Sequence, residues 1–195
     1  MLENIQSYLS KQGVKYIKPE KAGPHKEEME DLKALGQAAR KEMQAGIQVV
    51  GVFVNEEPRQ VAGLLNSGVI DIAQLHGEED NAYIKMLRKM SDRPIIQAFR
   101  IKTEKDVKRA EESEADMLLL DSGAGTGKVF DWKLIQTIER PYFLAGGITS
   151  HNVSEAIQRL HPDGVDVSSG IETDGKKDQK KMAAFVAAVR REEKI

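Results

Sequence analysis

Short apolar runs alternate along the chain with longer amphipathic, charged segments. The apolar runs are rich in β-branched residues, which is typical of buried parallel strands. They lie at 14–17, 48–54, 71–76, 94–99, 116–121, 141–147 and 164–169. The segments between them place apolar residues at three- and four-residue spacing, the pattern of amphipathic helices. Strands that alternate with helices predict βαβ units and a parallel sheet.

The predicted helices complete this alternation. They lie at 2–9, 26–43, 57–67, 81–90, 105–113, 131–138, 152–160 and 180–193. Thr103, Ser150 and Asn152 are helix-start signals, because each short polar side chain stands just before a helical run. Two architectures remain open, an open doubly wound sheet and a closed barrel, and both hold their ligand at the carboxyl ends of the strands. The helix that opens the chain is unusual, since an eight-unit barrel would begin with a strand.

Composition narrows the classes of function. The 195 residues are 40% apolar and 31% charged, and this apolar content is enough to form the core of one domain over 1–195. The net charge of -2 gives no bulk attraction to nucleic acid or to an anionic membrane. No apolar run approaches the ~20 residues of a membrane-spanning helix. The absence of cysteine excludes disulfides, thiolate metal sites and a cysteine nucleophile. We expect a soluble cytoplasmic protein that binds neither nucleic acid nor membrane.

Two apolar strands in the last quarter of the chain end in small, flexible residues. One ends in Gly146 and Gly147, and the next ends in Ser169 and Gly170. Glycine allows close backbone approach to a ligand, and a barrel commonly holds a phosphate at this position. The pair of turns therefore favours phosphate binding over simple turn formation. Asp166, between two valines, is predicted to be buried and to need either a backbone partner or a substrate hydroxyl.

The loop at 121–132 resembles a nucleotide-binding P-loop only in part. That motif requires a glycine, four intervening residues, the Gly127-Lys128 pair and then a hydroxyl directly after the lysine. Ser122 stands in place of the glycine, and Val129 stands in place of the hydroxyl. The mismatch at both ends excludes ATP or GTP binding through this loop.

Asp121 and His76 each close a predicted strand and are the candidate acid–base residues. An unperturbed aspartate has a pKa of ~3.9, and apolar surroundings can raise that pKa and retain a proton for general acid chemistry. The alternative for Asp121 is a turn cap, and the alternative for His76 is a structural hydrogen bond. His25, His151 and His161 are predicted to lie in loops or on the surface. No set of histidines and carboxylates has metal-ligand spacing, so no metal is expected.

Five segments, taken together, resemble one known enzyme family. They read GVFVNEE, IAQLHGEE, LLLDSGAGTGKVFDW, FLAGGITSHNV and GVDVSSGIETDGKKD, in that order, within residues 48–190. They are similar to the strand-and-loop motifs of phosphoribosylanthranilate isomerase, a (β/α)₈-barrel enzyme of tryptophan biosynthesis. The resemblance implies an Amadori rearrangement of an aminoaldose to an aminoketose, without metal or organic cofactor. It implies a small phosphosugar substrate and a monomer or homodimer.

The resemblance also implies roles for individual residues. Asp121 would be the general acid that protonates the furanose ring oxygen, and Asp166 would contact a sugar hydroxyl. Gln74 and His76 would line the pocket near the anthranilate. The residues that would bind the phosphate through backbone amides are Gly146, Gly147, Ser169 and Gly170.

The amino-terminal part of the chain departs from the family. The family's first strand carries a cysteine that acts as the general base; here that strand is missing or replaced. The family's substrate-binding arginine is also not found, because the corresponding stretch, 15–29, contains lysines instead. Three explanations stay open: a truncated enzyme, a diverged paralogue that only binds phosphosugars, or a substitute base such as Glu20, Lys18 or a partner-chain group. Because a general base contributes ~10²–10⁴-fold, we expect little or no activity from this chain.

Overall fold

A computed structural model describes residues 48–121 and 132–192. The principal strands are β1 (Val50–Phe53), β2 (Ile72–Leu75), β3 (Ile95–Arg100), β4 (Met117–Asp121), β5 (Tyr142–Ala145) and β6 (Gly164–Val165). The helices are α1 (Pro58–Asn66), α2 (Asn81–Arg88), α3 (Glu104–Glu111), α4 (Val153–Leu160) and α5 (Gln179–Glu192). Each of the six strands predicted within the described ranges is confirmed. The predicted strand at 14–17 and the predicted helices at 2–9 and 26–43 lie outside the described residues.

The six strands form one sheet in which the spatial order follows the chain order. β1 runs parallel to β2, β2 to β3, β4 to β5, and β5 to β6. A doubly wound sheet reverses its strand order at a switch point, whereas a (β/α)₈ barrel adds its strands in sequence. The observed order therefore favours the barrel type over the open sheet.

The described chain divides into two compact units, each with its own apolar core. The amino-terminal unit comprises residues 48–97 and 113–116, and the carboxyl-terminal unit comprises 98–112, 117–121 and 132–192. The core of the amino-terminal unit includes Val61, Leu65, Leu75, Ile84, Leu87 and Ile95. The core of the carboxyl-terminal unit includes Ile101, Leu118, Leu120, Ile135, Leu144, Ile148 and Phe185. Long apolar side chains from strands and helices thus interlock in both units.

Local sequence explains where the helices begin. α3 starts directly after Thr103, as predicted, and the Asp106 carboxylate accepts hydrogen bonds from the backbone N–H and the hydroxyl of Thr103, both at 2.9 Å. α2 starts after Asp80, whose carboxylate accepts from the N–H of Tyr83 at 2.9 Å. Both contacts satisfy polar groups that a helix leaves open at its first turn. In the described ranges no helix has the length and apolar character to cross a bilayer.

The predicted α-helix at 131–138 is wrong. The chain instead forms a 3₁₀ helix at Trp132–Ile135, and the N–H of Ile138 donates to the carbonyl of Ile135 at 3.2 Å. Trp132, Ile135 and Ile138 are all buried. A repeat of three matches the three residues per turn of a 3₁₀ helix, so the apolar spacing that predicted an α-helix is satisfied by the tighter form.

Candidate functional site

The loop after β5 begins with two glycines in the left-handed backbone region. Gly146 has a φ of 83° and Gly147 a φ of 67°. Side chains disfavour this conformation, so glycine is required for the chain to turn here. Asn152 holds the rest of the loop, because its amide donates to the carbonyl of Gly147 at 3.0 Å and its oxygen accepts from the N–H of Thr149 at 2.8 Å. α4 then begins at Val153, in agreement with the predicted start at Asn152.

The loop after β6 lies directly against the loop after β5. A Cβ atom added to Gly170 would lie 2.0 Å from the carbonyl oxygen of Ile148. The two backbones therefore meet at a distance that only glycine permits. Ser169, the preceding residue, is exposed. The structure thus brings together the two loops that contain the residues predicted to bind phosphate.

We expect Gly170→Ala to disturb this contact. The new methyl group would overlap the Ile148 carbonyl, so the two loops must move apart. The dissociation constant for inorganic phosphate, measured by calorimetry, should rise several-fold, and the melting temperature should fall. Gly63→Ala in α1 is the control, since nothing lies within 4 Å of its added Cβ and alanine stabilises a helix by ~0.5–1 kcal/mol. If the two variants have the same phosphate affinity and the same melting temperature, the close contact between Gly170 and Ile148 is contradicted.

Asp121 lies at the same edge of the sheet as the Gly146–Gly147 loop. It is the last residue of β4 and is half-buried, and its backbone carbonyl accepts from the N–H of Ile101 at 2.8 Å. In the parallel register Asp121 stands opposite Ala145, the residue before Gly146. The candidate acid therefore lies at the strand end next to the glycine loop, as expected for residues at the carboxyl ends of parallel strands.

Asp166 lies at this edge too, but not in the environment predicted for it. Its N–H donates to the carbonyl of Leu144 at 2.8 Å. The prediction that Asp166 is buried is wrong, since it and both neighbouring valines are half-buried. The reason is that β6 covers Gly164–Val165 alone, rather than 164–169, so Asp166 falls in the loop beyond the strand end. Asp166 therefore belongs to the loop at the carboxyl end of the strand, where barrel enzymes carry their ligand-binding residues.

Gln74 and His76 come together within the amino-terminal unit. Gln74 is buried in β2, and its Nε2 donates to Nδ1 of His76 at 2.9 Å. His76 is exposed, and its backbone N–H donates to the carbonyl of Phe53 at 2.8 Å. Nδ1 of His76 is therefore engaged by Gln74, and Nε2 is the ring nitrogen that this contact leaves for a ligand.

A buried carboxylate three residues beyond His76 could not be predicted from the sequence. Glu79 is buried, and its two carboxylate oxygens accept from the backbone N–H groups of Asn55 at 2.6 Å and Gly77 at 2.7 Å. The side chain of Asn55 in turn accepts from the N–H of Glu78 at 2.8 Å. Glu79 therefore ties the loop after β1 to the loop after β2, just beyond His76. Within the charged run 78–80, nothing in the sequence distinguishes the one buried residue.

Glu79→Ala should destabilise the protein. Removing the carboxylate leaves two backbone donors without their acceptor, which costs about 1–3 kcal/mol. Urea unfolding followed by circular dichroism measures this loss. Glu78→Ala is the control, because the Glu78 side chain is exposed and its backbone contact survives the change. If the free energy of unfolding falls by the same amount in both variants, the Glu79 carboxylate does not hold the loop after β1 to the loop after β2.

Several predictions concern residues that the structure does not describe. The candidate bases Glu20 and Lys18, the expectation that the family's first strand is missing or replaced, and the glycine-rich loop after Asp121 all concern those residues. Within the described ranges, no three histidine, aspartate or glutamate side chains come together as a metal site.

Parallel strands in chain order, with polar and glycine residues at their carboxyl ends, define an α/β protein of the (β/α)₈-barrel class. The family model described as N-(5'phosphoribosyl)anthranilate (PRA) isomerase matches residues 5–188 of this chain. The chain therefore belongs to the phosphoribosylanthranilate isomerase family.

Individual relatives agree with this membership. The N-(5'-phosphoribosyl)anthranilate isomerase of Endomicrobium trichonymphae is 40% identical over 149 residues, which cover 74% of this chain and 73% of that protein. The crystal structure of phosphoribosyl anthranilate isomerase from Thermotoga maritima has a TM-score of 0.71 and 33% identity, covering 83% of this chain and 80% of that one. A phosphoribosyl anthranilate isomerase in complex with reduced 1-(o-carboxyphenylamino)-1-deoxyribulose 5-phosphate has a TM-score of 0.68 and 32% identity, with coverage of 83% and 79%.

Proposed function

We propose that this chain is an N-(5'-phosphoribosyl)anthranilate isomerase, which converts an aminoaldose phosphate into an aminoketose phosphate in tryptophan biosynthesis. One observation supports this function most strongly. Asp121, the Gly146–Gly147 loop and Asp166 share one edge of the sheet, in a chain that belongs to the isomerase family. The reaction needs a proton donor beside a bound phosphosugar, and at this edge Asp121 would be the donor and the glycine loop would bind the phosphate. The chemistry needs no metal or organic cofactor.

The phosphate would bind between the two loops that meet at Gly170. Glycines at positions 146, 147 and 170 allow the backbone to approach closely, and backbone N–H groups then donate to phosphate oxygens. Ser169, which is exposed, adds a fourth amide. Binding the phosphate here would place the sugar over the ends of β4 and β6. Asp166 would accept a hydrogen bond from a sugar hydroxyl.

Asp121 would act as the general acid. Its carboxyl group donates a proton to the furanose ring oxygen while the bond from that oxygen to C1 breaks, and the anthranilate nitrogen supplies the electron pair that forms the Schiff base. A base then removes the proton from C2, giving an enolamine that becomes the ketone. Gln74 and His76 would bind near the anthranilate, where Nε2 of His76 offers a polar contact.

The base in this chain is not a thiolate, because the 195 residues contain no cysteine. General bases contribute ~10²–10⁴-fold, so turnover should be slow unless another group replaces the thiolate. Glu20 and Lys18 are the first candidates for that group. Substitution of each by Gln and Met, respectively, in the full chain identifies which of them affects turnover.

Ligand binding tests the proposed site separately from catalysis. Calorimetry with reduced 1-(o-carboxyphenylamino)-1-deoxyribulose 5-phosphate should show one site per chain, and inorganic phosphate should compete for it. Competition is expected because both ligands would occupy the same backbone amides. No binding of the compound by the folded chain would refute the proposed function.

A further inference from the structure

Lys177 makes three polar contacts with the segment between Ser168 and Glu172, which follows β6. Its Nζ donates to the carbonyl oxygen of Ser168 at 2.8 Å, to Oγ of Ser168 at 3.3 Å and to Oε1 of Glu172 at 2.7 Å. The Lys177 side chain is 27% exposed, and that of Glu172 is 18% exposed. An ammonium group has three N–H donors, so all three are engaged within this segment. A half-buried lysine with every donor engaged is fixed in place.

A short β-hairpin places Lys177 at this position. Strand β7 (Glu172–Thr173) pairs antiparallel with β8 (Lys176–Lys177), and Glu172 stands opposite Lys177. Asp174 and Gly175 join the strands with φ values of 51° and 73°. Two consecutive positive φ values are the signature of the tight turn that Asp-Gly favours in hairpins. The sequence ETDGKK therefore forms a tight hairpin that places the Lys177 side chain against Ser168.

The contact fixes the direction of the next backbone N–H. In a trans peptide unit the C=O and the N–H point in opposite directions. Holding the Ser168 carbonyl against Lys177 therefore turns the N–H of Ser169 to the opposite side. If this peptide rotated, a carbonyl oxygen would face the anion in place of a donor and would repel it.

A second lysine holds the other end of the same segment. Nζ of Lys181, in the first turn of α5, donates to the carbonyl of Glu172. The 3₁₀ helix Ser169–Ile171 thus lies between two backbone carbonyls, each held by an ammonium group. Lysine contacts at both ends restrict rotation of the peptide units between them.

We propose that Lys177 is a positioning residue of the phosphate site: its ammonium group holds the Ser168 carbonyl so that the Ser169 N–H is presented to the phosphate. This inference rests on the phosphate site of the proposed function. Glu172 keeps the ammonium group in place, and its carboxylate offsets the charge locally. Lys177 therefore acts through backbone geometry rather than as a direct phosphate ligand.

The test compares Lys177→Met with Lys176→Met. The two lysines are adjacent and lose the same charge, but Lys176 is exposed. We expect the dissociation constant for inorganic phosphate, measured by calorimetry, to rise about tenfold in Lys177→Met and less than about twofold in Lys176→Met. In Lys177→Met the KM for phosphoribosylanthranilate should rise together with this dissociation constant. Its kcat should change little, because the proton-transferring groups are untouched. Lys177→Arg, which can still donate to the carbonyl, should recover part of the affinity.

Three results would overturn the positioning role. One is an equal loss of phosphate affinity in both methionine variants, which would indicate a general charge effect. Another is a lower melting temperature in Lys177→Met with unchanged phosphate affinity, which would indicate a structural role alone. The third is no phosphate binding by the unaltered chain. If the unaltered chain binds phosphate but does not isomerise the substrate, the proposed function fails, and the comparison of the variants still decides the role of Lys177.

Discussion

Replacement of Asp121 by Asn is expected to lower turnover of phosphoribosylanthranilate by at least about 10²-fold, with nearly unchanged binding of the product analogue. An amide has almost the shape of the carboxyl group but cannot donate a proton to the ring oxygen with useful acidity. An interaction used only in the transition state lowers kcat and kcat/KM together. Steady-state kinetics and calorimetry on the same preparation separate the two effects.

Asp116→Asn is the matched control, because Asp116 directly precedes β4 and so lies at the opposite end of that strand from Asp121. Its carboxylate accepts from the N–H of Ile95 at 2.7 Å and pairs with Arg88. Loss of these contacts should reduce stability but leave turnover at the level of the unaltered chain. Turnover by Asp121→Asn equal to that of the unaltered chain would remove Asp121 from the reaction.

Gly147→Asp should weaken binding of the product analogue at least tenfold, equivalent to about 1.4 kcal/mol. The substitution places a carboxylate beside the phosphate and puts a side chain at a φ of 67°, where glycine is favoured. Gly147→Ala also places a side chain at this φ but carries no charge. At low salt the aspartate variant should therefore lose more affinity than the alanine variant, and the difference should shrink as salt screens the repulsion.

Calorimetry with the product analogue measures these affinities, and circular dichroism confirms that each variant is folded. If Gly147→Asp folds and binds the analogue as tightly as the unaltered chain, the phosphate does not bind at the loop after β5. If the alanine and aspartate variants lose equal affinity at every salt concentration, the loss comes from the backbone and not from the charge.

The sheet could be predicted from the sequence because its strands are short, β-branched and separated by amphipathic helices. The runs at 71–76 and 116–121 are examples, and both became buried strands. The prediction was wrong where one apolar pattern fits two structures. Apolar residues three apart at Trp132, Ile135 and Ile138 fit both an α-helix and a 3₁₀ helix. Which one forms depends on tertiary packing.

The glycines and strand-end residues of the candidate site could be predicted from local sequence. The burial of two charged residues, Glu79 and Lys177, could not. Gly146 and Gly147 follow an apolar strand directly, so their position was evident without a structure. Glu79 and Lys177 lie in charged runs that look like solvent-exposed surface. The burial of Glu79 depends on a residue distant along the chain, Asn55, whereas Lys177 is held by Ser168 and Glu172 across a local hairpin. A single sequence contains no local signal of the Glu79 contact, and an Asp-Gly turn indicates a hairpin without showing which of its lysines becomes half-buried.

Turnover of phosphoribosylanthranilate by the purified chain, followed by the loss of substrate fluorescence, tests the proposed function most directly. The unaltered chain and Asp121→Asn are compared with a protein-free blank. We predict slow turnover above the blank for the unaltered chain, and a rate close to the blank for Asp121→Asn. Turnover near that of an ordinary enzyme would refute the expectation of slow turnover and would show that another group replaces the thiolate base. Glu20 and Lys18 would then be the first residues to substitute. A rate for the unaltered chain equal to the blank, with the product analogue still bound, would contradict the isomerase function and indicate a phosphosugar-binding protein.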